Sequence, residues 1–217
     1  MAATIIKMAD VEPLLAVTGL LAAFARPWWV AGGWAIDALA GGPIRRHDDI
    51  EIGLLRPDLP ALGQHLRQRG WRLEHFAAAP PGSAGGAAGG AAGAGSWVPL
   101  ASGETVPRPH FQLRARAAGA PAPGHVLPSE FELFLNDLET DRPGARWVSR
   151  RHPTVAVPLA ELIVIAPRLG IPVLAPEVQL LYKAKYHRPK DEHDFTRALP
   201  LLTSAQCSWL ARALGGG

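Results

Sequence analysis

The chain has 217 residues, of which 48% are hydrophobic and 19% are charged, and its formal net charge is +3. This length predicts one domain, or one domain with a small partner, and the mild charge excludes the dense basic surface of a dedicated nucleic-acid binder. The single cysteine, Cys207, excludes an internal disulfide framework and a cysteine-based zinc site. No apolar run could span a membrane, and acids and a proline occupy the place of a signal-peptide core, so we expect a cytoplasmic protein.

The periodicity of apolar residues predicts helices and strands in alternation. In chain order we predict a helix after an N-cap at Asp10, a strand at 28–31, a helix at 34–39, a strand at 48–55, a helix at 58–69, strands at 71–76, 110–116 and 131–135, and helices at 176–186, 190–199 and 203–214. Residues 77–96 contain only Ala, Gly, Pro and Ser, which cannot fill a core. We therefore predict a flexible surface loop there, and a second breaker-rich connection at 117–128.

Two acids lie two residues apart in the predicted strand at 48–55. Because side chains alternate between the faces of a strand, Asp49 and Glu51 share one face, and their carboxylates can converge on a divalent cation. Glu132, in the predicted strand at 131–135, is the best candidate for a third acid. Mg²⁺ prefers oxygen ligands and pairs with substrate phosphates, so the pattern indicates a metal site for phosphate chemistry. An ordinary solvent-facing strand edge would carry acids in the same places.

A glycine pair, Gly32–Gly33, stands between a predicted strand and a predicted helix. Glycine at such a junction lets backbone N–H groups approach a phosphate, and the helix N-terminus adds a favourable potential. A glycine pair alone is more often a plain turn. Here the strand with two acids follows, and its Asp49 lies sixteen residues after Gly33. The combination of the glycine pair with the acid pair favours a nucleotide site over a plain turn.

The segments Gly32–Asp37 (GGWAID) and Arg45–Ile52 (RRHDDIEI) resemble the aminoglycoside adenylyltransferase family, which belongs to the minimal nucleotidyltransferases of the DNA polymerase β superfamily. The resemblance covers residues 10–58 well, 131–135 more loosely, and 180–195 as a further block. It implies an α+β fold in which a mixed sheet is flanked by helices and followed by a helical C-terminal part. We accordingly expect a nucleotidyltransferase core at 1–158 and a mainly helical part at 159–217.

The resemblance also implies a reaction. The family transfers a nucleoside monophosphate, so we expect a metal-dependent enzyme that moves AMP from ATP, or from another nucleoside triphosphate, onto a hydroxyl of a small molecule such as an antibiotic. By position, Asp49, Glu51 and Glu132 become the catalytic carboxylates that bind Mg²⁺ or Mn²⁺, with Glu132 a ligand, a general base or both. The family usually has Asp where this chain has Glu51, and Asp is also common at the third position.

Basic groups must neutralise the triphosphate. By the resemblance we expect nucleotide contacts from Gly32, Gly33, Arg46, His47, Lys183 and Lys185. Solvated turns and helix surfaces often carry such residues, so it is the resemblance that favours the nucleotide role.

The acceptor is the least determined part of the interpretation. Aminoglycosides are polycations, whereas this chain is net basic and has only four acids between Glu51 and Glu132. Electrostatics therefore disfavours a polycationic acceptor and favours a neutral or mildly charged hydroxyl compound, or a protein side chain. We expect neither a membrane nor a nucleic acid as a partner.

Two other functions stay open. Glu51 in the usual place of Asp is compatible with a catalytically inactive protein of this fold, such as a nucleotide-binding or antitoxin-like protein. The superfamily also includes polymerases and tRNA-modifying enzymes, so a nucleic-acid nucleotidyltransferase is the third candidate, although the sequence has no basic stripe with interleaved aromatics.

Overall fold

The computed structural model of the chain describes residues 8–43, 45–78, 95–119, 126–139, 144–150, 152–185 and 188–215. The helices and strands are α1 (Met8–Leu21), β1 (Trp28–Ala31), α2 (Gly32–Leu39), β2 (Glu51–Leu55), α3 (Leu59–Arg67), β3 (Trp71–Ala78), β4 (Gly95–Pro99), β5 (Gln112–Ala117), β6 (Glu130–Asn136), β7 (Leu138–Glu139), β8 (Arg146–Val148), β9 (Ala156–Pro158), α4 (Leu159–Leu162), β10 (Ile163–Ile165), β11 (Pro172–Leu174), α5 (Pro176–Lys183), α6 (Pro189–Ala198) and α7 (Ser204–Gly215). Across the described ranges, no helix combines the length and the apolar character needed to cross a bilayer.

Eight strands form one mixed sheet in the order β10-β11-β1-β2-β6-β5-β3-β4. β1 is parallel to β11 and β2 is parallel to β6, whereas the other neighbours are antiparallel. β7, β8 and β9 form a smaller antiparallel sheet. Helices flank the large sheet, which confirms the predicted α+β fold. The stretch after residue 158 supplies β10 and β11 to this sheet as well as helices, and the division of the chain at 158 stays a prediction.

The two faces of the central strands differ in chemistry. Ile52 and Leu133 are fully buried and belong to the main core, to which α1 contributes Leu14 and α3 contributes Leu62. Because side chains alternate along a strand, Glu51 and Glu132 lie on the opposite face. The apolar face stabilises the fold through burial, and the opposite face carries the polar groups of a site beneath α5.

Three element boundaries differ from the prediction. α1 begins at Met8, so Asp10 lies in its first turn and is not the N-cap. α2 begins at Gly32 directly after β1, because Gly32 adopts a positive φ of 69° that allows the chain to turn from strand to helix. β2 begins at Glu51, so Asp48 and Asp49 lie in the loop before the strand rather than within it.

The hairpin of β3 and β4 narrows the loop predicted at 77–96. Ala77 pairs with Ser96, and Ala78 pairs with Gly95, because backbone hydrogen bonds between strands need no large side chain. Residues 79–94, and residues 120–125 of the second predicted connection, lie outside the described residues. β7 to β11 are two or three residues long and escape prediction because alternation is recognised only over about four residues or more.

Candidate active site

Three carboxylates meet near the start of the parallel strands β2 and β6. Glu51 is the register partner of Glu132, and the loop before β2 brings Asp49 beside them. Each residue offers a carboxylate oxygen that lies within 4.8 Å of those of the other two. Parallel pairing explains the convergence of the two glutamates, because register partners lie side by side on one face of a sheet. The predicted acids therefore form a spatial cluster, which we call the acid cluster, and their catalytic role stays a prediction.

Burial and like charge raise the pKa values within the acid cluster. The pKa of Glu51 is raised to about 7, first by burial and then by the Asp49 and Glu132 carboxylates, while two nearby lysines oppose the rise. The pKa of Glu132 is also raised, by burial and by Asp49, against a hydrogen bond that Gln112 donates to it. Carboxylates that repel one another are suited to a divalent cation, because its charge offsets the repulsion. This donor set fits Mg²⁺ or Mn²⁺.

Gly32 makes room for the side chain of Glu51. A Cβ atom at Gly32 would lie 2.8 Å from Glu51 Cδ, which is closer than such atoms approach. The Gly32 N–H donates a hydrogen bond to Gln179 Oε1 at 2.8 Å. Gly32 thus lies at the acid cluster, and its contact with a nucleotide stays a prediction. Its N–H has a protein partner, so binding of a phosphate by this group requires Gln179 to move.

Gly33 and His47 are brought together at α2. A Cβ atom at Gly33 would lie 2.5 Å from His47 Cε1 and 2.5 Å from Arg45 Nη2. The His47 side chain is 2% exposed, and its Nε2 lies 2.6 Å from Asp37 Oδ2. The structure therefore gives Gly33 and His47 a mutual packing role, and their nucleotide contacts stay predictions. Arg46, between Arg45 and His47, is exposed.

The two lysines predicted to contact phosphate lie in different places. Lys183 is buried on α5, where its Nζ lies 2.6 Å from Asp194 Oδ2 and 3.5 Å from Asp191 Oδ1. It lines the same cavity as Glu51. Lys185 is exposed and lines a separate depression with Leu181. The structure places Lys183, and not Lys185, beside the acid cluster.

A cavity of about 590 Å³ lies on the Asp49 side of the acid cluster, between α1, α2 and the loop before β2. Its charged lining residues are Asp10, Asp48, Asp49, Glu130, Arg45 and Arg46. Arg45 is engaged by Asp194, 3.2 Å away. We call this space the acidic cavity. The sequence argument against a cationic acceptor does not hold for it, because a ligand meets the charge of its own cavity rather than the net charge of the chain.

A second cavity, of about 180 Å³, lies on the Glu51 side, between the sheet and α5. Its charged lining residues are Glu51, Arg150, Lys183 and Arg188, and its aromatic ones are Trp29, Phe111, Phe134 and Tyr182. The Arg150 guanidinium lies 3.7 Å from the centroid of the Phe111 ring. We call this space the basic cavity. The acid cluster thus borders two cavities of opposite charge.

Sequence reasoning missed most residues of the basic cavity. Phe134 lies two residues after Glu132 and shares its face of β6, a relation that strand alternation could have indicated. Gln179 reaches the site from α5, and Arg150 reaches it from the segment after β8. No local pattern marks either residue, because long-range packing alone brings them to the sheet.

Known proteins match the segment that carries the acid pair. The family model for Aminoglycoside-2''-adenylyltransferase matches residues 13–78. The 2''-aminoglycoside nucleotidyltransferases of Escherichia coli and Klebsiella pneumoniae are 46% identical over 46 residues, which make up 20% of this chain and 26% of each relative. The chain therefore spans about a quarter of the length of the curated relatives it matches. The resemblance to aminoglycoside adenylyltransferases is confirmed.

Solved structures of antibiotic adenylyltransferases share the fold over most of the chain. The lincomycin-bound lincosamide antibiotic adenylyltransferase LnuA has a TM-score of 0.52 at 15% identity, covering 88% of this chain and 97% of its own. The antibiotic-resistance factor ANT(2'')-Ia has a TM-score of 0.55 at 14% identity, covering 96% and 92%. Its complex with adenylyl-2''-tobramycin has a TM-score of 0.53 at 14% identity, covering 94% and 97%. At such identities the likeness establishes the fold.

Proposed function

We propose that this protein is a metal-dependent nucleotidyltransferase that transfers AMP from ATP to a hydroxyl group of an amine-bearing small molecule, in particular an antibiotic. The observation that carries the proposal is the acid cluster of Asp49, Glu51 and Glu132, bordered by one basic and one acidic cavity. Such an enzyme must bring an anionic nucleotide and its acceptor to one metal site. The similarity to antibiotic adenylyltransferases supports this choice of reaction and acceptor.

Asp49, Glu51 and Glu132 would hold Mg²⁺ or Mn²⁺. Carboxylate oxygens are the ligands that these cations prefer, and the three side chains are close enough to share an ion or a pair of ions. A bound divalent cation would neutralise phosphate charge and align the attacking and leaving oxygens. The longer arm of Glu51 is accommodated against Gly32 and still reaches the cluster, which favours the enzyme over the inactive alternative.

We assign the triphosphate of ATP to the basic cavity, because a volume of about 180 Å³ is below the range of pockets that enclose a whole ligand of this size. Lys183 and Arg188 line it together with Gly32. Both side chains are paired with acids of α6, Asp194 and Asp191, so the triphosphate would compete with these acids for their positive charge. Arg46 lines the acidic cavity and Lys185 a separate depression, so we propose that they contact the nucleotide only where it extends beyond the basic cavity.

We assign the acceptor to the acidic cavity, where Asp10 and Asp48 would pair with its ammonium groups. Glu130 lies 3.6 Å from Arg116 Nε and 3.8 Å from Arg114 Nη1, so an ammonium group would compete with these arginines for it. The hydroxyl oxygen of the acceptor attacks the α-phosphorus of ATP, the bond to the oxygen that bridges to the β-phosphate breaks, and pyrophosphate leaves. Glu132 accepts the hydroxyl proton.

Mass spectrometry of the products tests the proposal. The protein is incubated with ATP, Mg²⁺ and either tobramycin, which carries several amines, or lincomycin, which carries one. We expect pyrophosphate and an acceptor that has gained one AMP, formed faster with tobramycin, and neither product from Glu132→Gln. If a folded wild-type protein that binds ATP forms neither product with either acceptor, the inactive alternative is favoured instead.

A further inference from the structure

The imidazole of His47 fits into a socket that three residues of α2 form. Gly33 leaves the space for the ring, since a Cβ atom there would lie 2.5 Å from it. Trp34 packs against the ring with the centroids 4.5 Å apart and the ring planes tilted by 36°. Asp37 Oδ2 lies 2.6 Å from His47 Nε2, and both side chains are only 2% exposed. We call Gly33, Trp34 and Asp37 the His47 socket.

The spacing of the socket residues follows from helix geometry. Gly33 and Asp37 are four residues apart, so they lie on one side of α2 in successive turns. Trp34 is adjacent to Gly33 and places its indole against the same ring. The segment GGWAID therefore supplies space, an aromatic surface and a hydrogen-bond partner from a single short helix. The geometry gives Gly33 a packing role against His47, and its contact with a phosphate stays a prediction.

The loop between α2 and β2, which carries His47, is also held by side chains of α6. Arg197 pairs with Asp37 Oδ1 at 3.0 Å and donates to the carbonyl of Gly42. Arg45 donates to Asp194 at 3.2 Å. The loop between α2 and β2 is thus fixed at Gly42, Arg45 and His47. All three of these residues precede Asp49 and Glu51 in the sequence.

Asp49 lies outside the strands of the sheet. It is exposed and precedes β2, so no ladder hydrogen bond of that strand holds it. On its C-terminal side, the Ile50 carbonyl accepts a hydrogen bond from the Glu132 N–H at 2.9 Å. On its N-terminal side, His47 is two residues away, which limits the separation of the two Cα atoms to about 7 Å. Asp49 is held between these two anchors.

We propose that the His47 socket positions Asp49 for metal binding. His47 points into α2 and is not part of the acid cluster, so it is a positioning residue and not a ligand. Outer-shell groups that hydrogen-bond to a metal ligand change metal affinity by about 10–100-fold when they are removed, and His47, which acts on Asp49 through the backbone, should fall at the lower end of that range. The inference rests on the proposed function only in that the acid cluster must bind a divalent cation.

Direct titration with Mn²⁺, followed by electron paramagnetic resonance, tests the proposal without using activity. His47→Asn keeps an amide but places it too close to the backbone to reach Asp37, whereas His47→Gln carries the amide to the position of Nε2. Gly33→Ala keeps His47 and displaces its ring by the added Cβ. His193→Ala, at an exposed histidine of α6, is the matched control. The thermal midpoint of each variant is measured alongside.

We expect His47→Asn and Gly33→Ala to weaken Mn²⁺ binding by about 10-fold, the lower end of that range, while His47→Gln and His193→Ala stay within about 3-fold of wild type. A folded His47→Asn protein with wild-type Mn²⁺ affinity would overturn the proposal. If His47→Asn does not fold, wild-type Mn²⁺ affinity in a folded Gly33→Ala protein would overturn it instead. Equal losses in His47→Asn and His47→Gln would also overturn it, because the reach to Asp37 would then not matter. If wild type binds no Mn²⁺, it is the proposed function that fails.

Discussion

The acidic and the basic cavity border the same acid cluster, yet their chemistry is opposite. Four carboxylates and two arginines line the acidic cavity, and one of those arginines is engaged by Asp194. Three basic side chains and a single carboxylate, Glu51, line the basic cavity together with four aromatic rings. Under the proposed function, an anionic nucleotide and a cationic acceptor would lie on different sides of one metal site.

The contrast shows that charge acts locally in this protein. The net charge of +3 suggested an acceptor with little positive charge, but acids from α1, the loop before β2 and the start of β6 converge on one cavity. Because these acids are far apart in sequence, their convergence is a product of the fold. The electric field in a cleft depends on the charged groups that line it, so the net charge of the whole chain does not predict it.

Removing a carboxylate from the acid cluster should disable the metal site that lies between the two cavities, and this is the largest effect we expect. Glu51→Gln should lower the transfer rate by at least about 100-fold and remove the rise in melting temperature that Mg²⁺ gives to wild type. Without metal the variant should be as stable as wild type or more so, because repulsion is relieved. Thermal melts with and without Mg²⁺ check this.

Glu51→Asp is the control for that experiment, because it keeps the charge and shortens the arm. It should retain the stabilisation by Mg²⁺. Full stabilisation of Glu51→Gln by Mg²⁺ would contradict a role for Glu51 in metal binding.

The stability of the metal-free protein should fall as the pH rises from about 4.5 to about 7. Folding raises the pKa of Glu51 from its usual 4.5 to about 7, so in this window the folded state keeps a proton that the unfolded state has lost. The full loss, reached above pH 7, is up to about 3 kcal/mol. Urea unfolding across this range measures it, and Glu51→Gln should flatten the dependence. A wild-type stability that rises through this window would contradict the raised pKa.

Neutralising one charged side chain in either cavity should change the KM for the substrate assigned to that cavity and leave the KM for the other substrate unchanged. Arg188→Gln, in the basic cavity, should raise the KM for ATP about fivefold, which corresponds to about 1 kcal/mol, and leave the KM for tobramycin unchanged. Glu130→Gln, in the acidic cavity, should do the reverse. Steady-state kinetics with each substrate varied in turn provides the comparison. Equal effects of both variants on both substrates would break the assignment of the cavities.

Shortening the segment at 79–94 should have the smallest effect, because none of its side chains is charged or large enough to fill a core. These residues lie outside the described part of the chain, and their Ala, Gly, Pro and Ser side chains offer little to pack. Replacing them with a short Gly-Ser linker between β3 and β4 should change the melting temperature by only a few degrees, since loop-closure entropy depends weakly on length. A cooperative loss of structure would show that the segment packs on the domain.

Sequence reasoning reached the fold and the acid cluster by different routes. Alternation predicted the strand that contains Glu51 and the strand that contains Glu132, and the resemblance placed them beside each other. Sequence reasoning could not foresee that Asp49 precedes its strand or that His47 packs against α2, because the His47 socket joins α2 to a loop through packing. The strands β7 to β11 escaped because they are too short for alternation to be recognised. The lining of both cavities escaped because residues such as Arg150 and Gln179 acquire their place only in the folded chain.

A crystal structure with a non-hydrolysable ATP analogue, Mg²⁺ and tobramycin tests the central claim most directly. We predict the metal at Asp49, Glu51 and Glu132, the triphosphate beside Lys183 and Arg188 in the basic cavity, and the amines of tobramycin beside Asp48 and Glu130 in the acidic cavity. A triphosphate in the acidic cavity, or a metal bound away from the three carboxylates, would contradict the account.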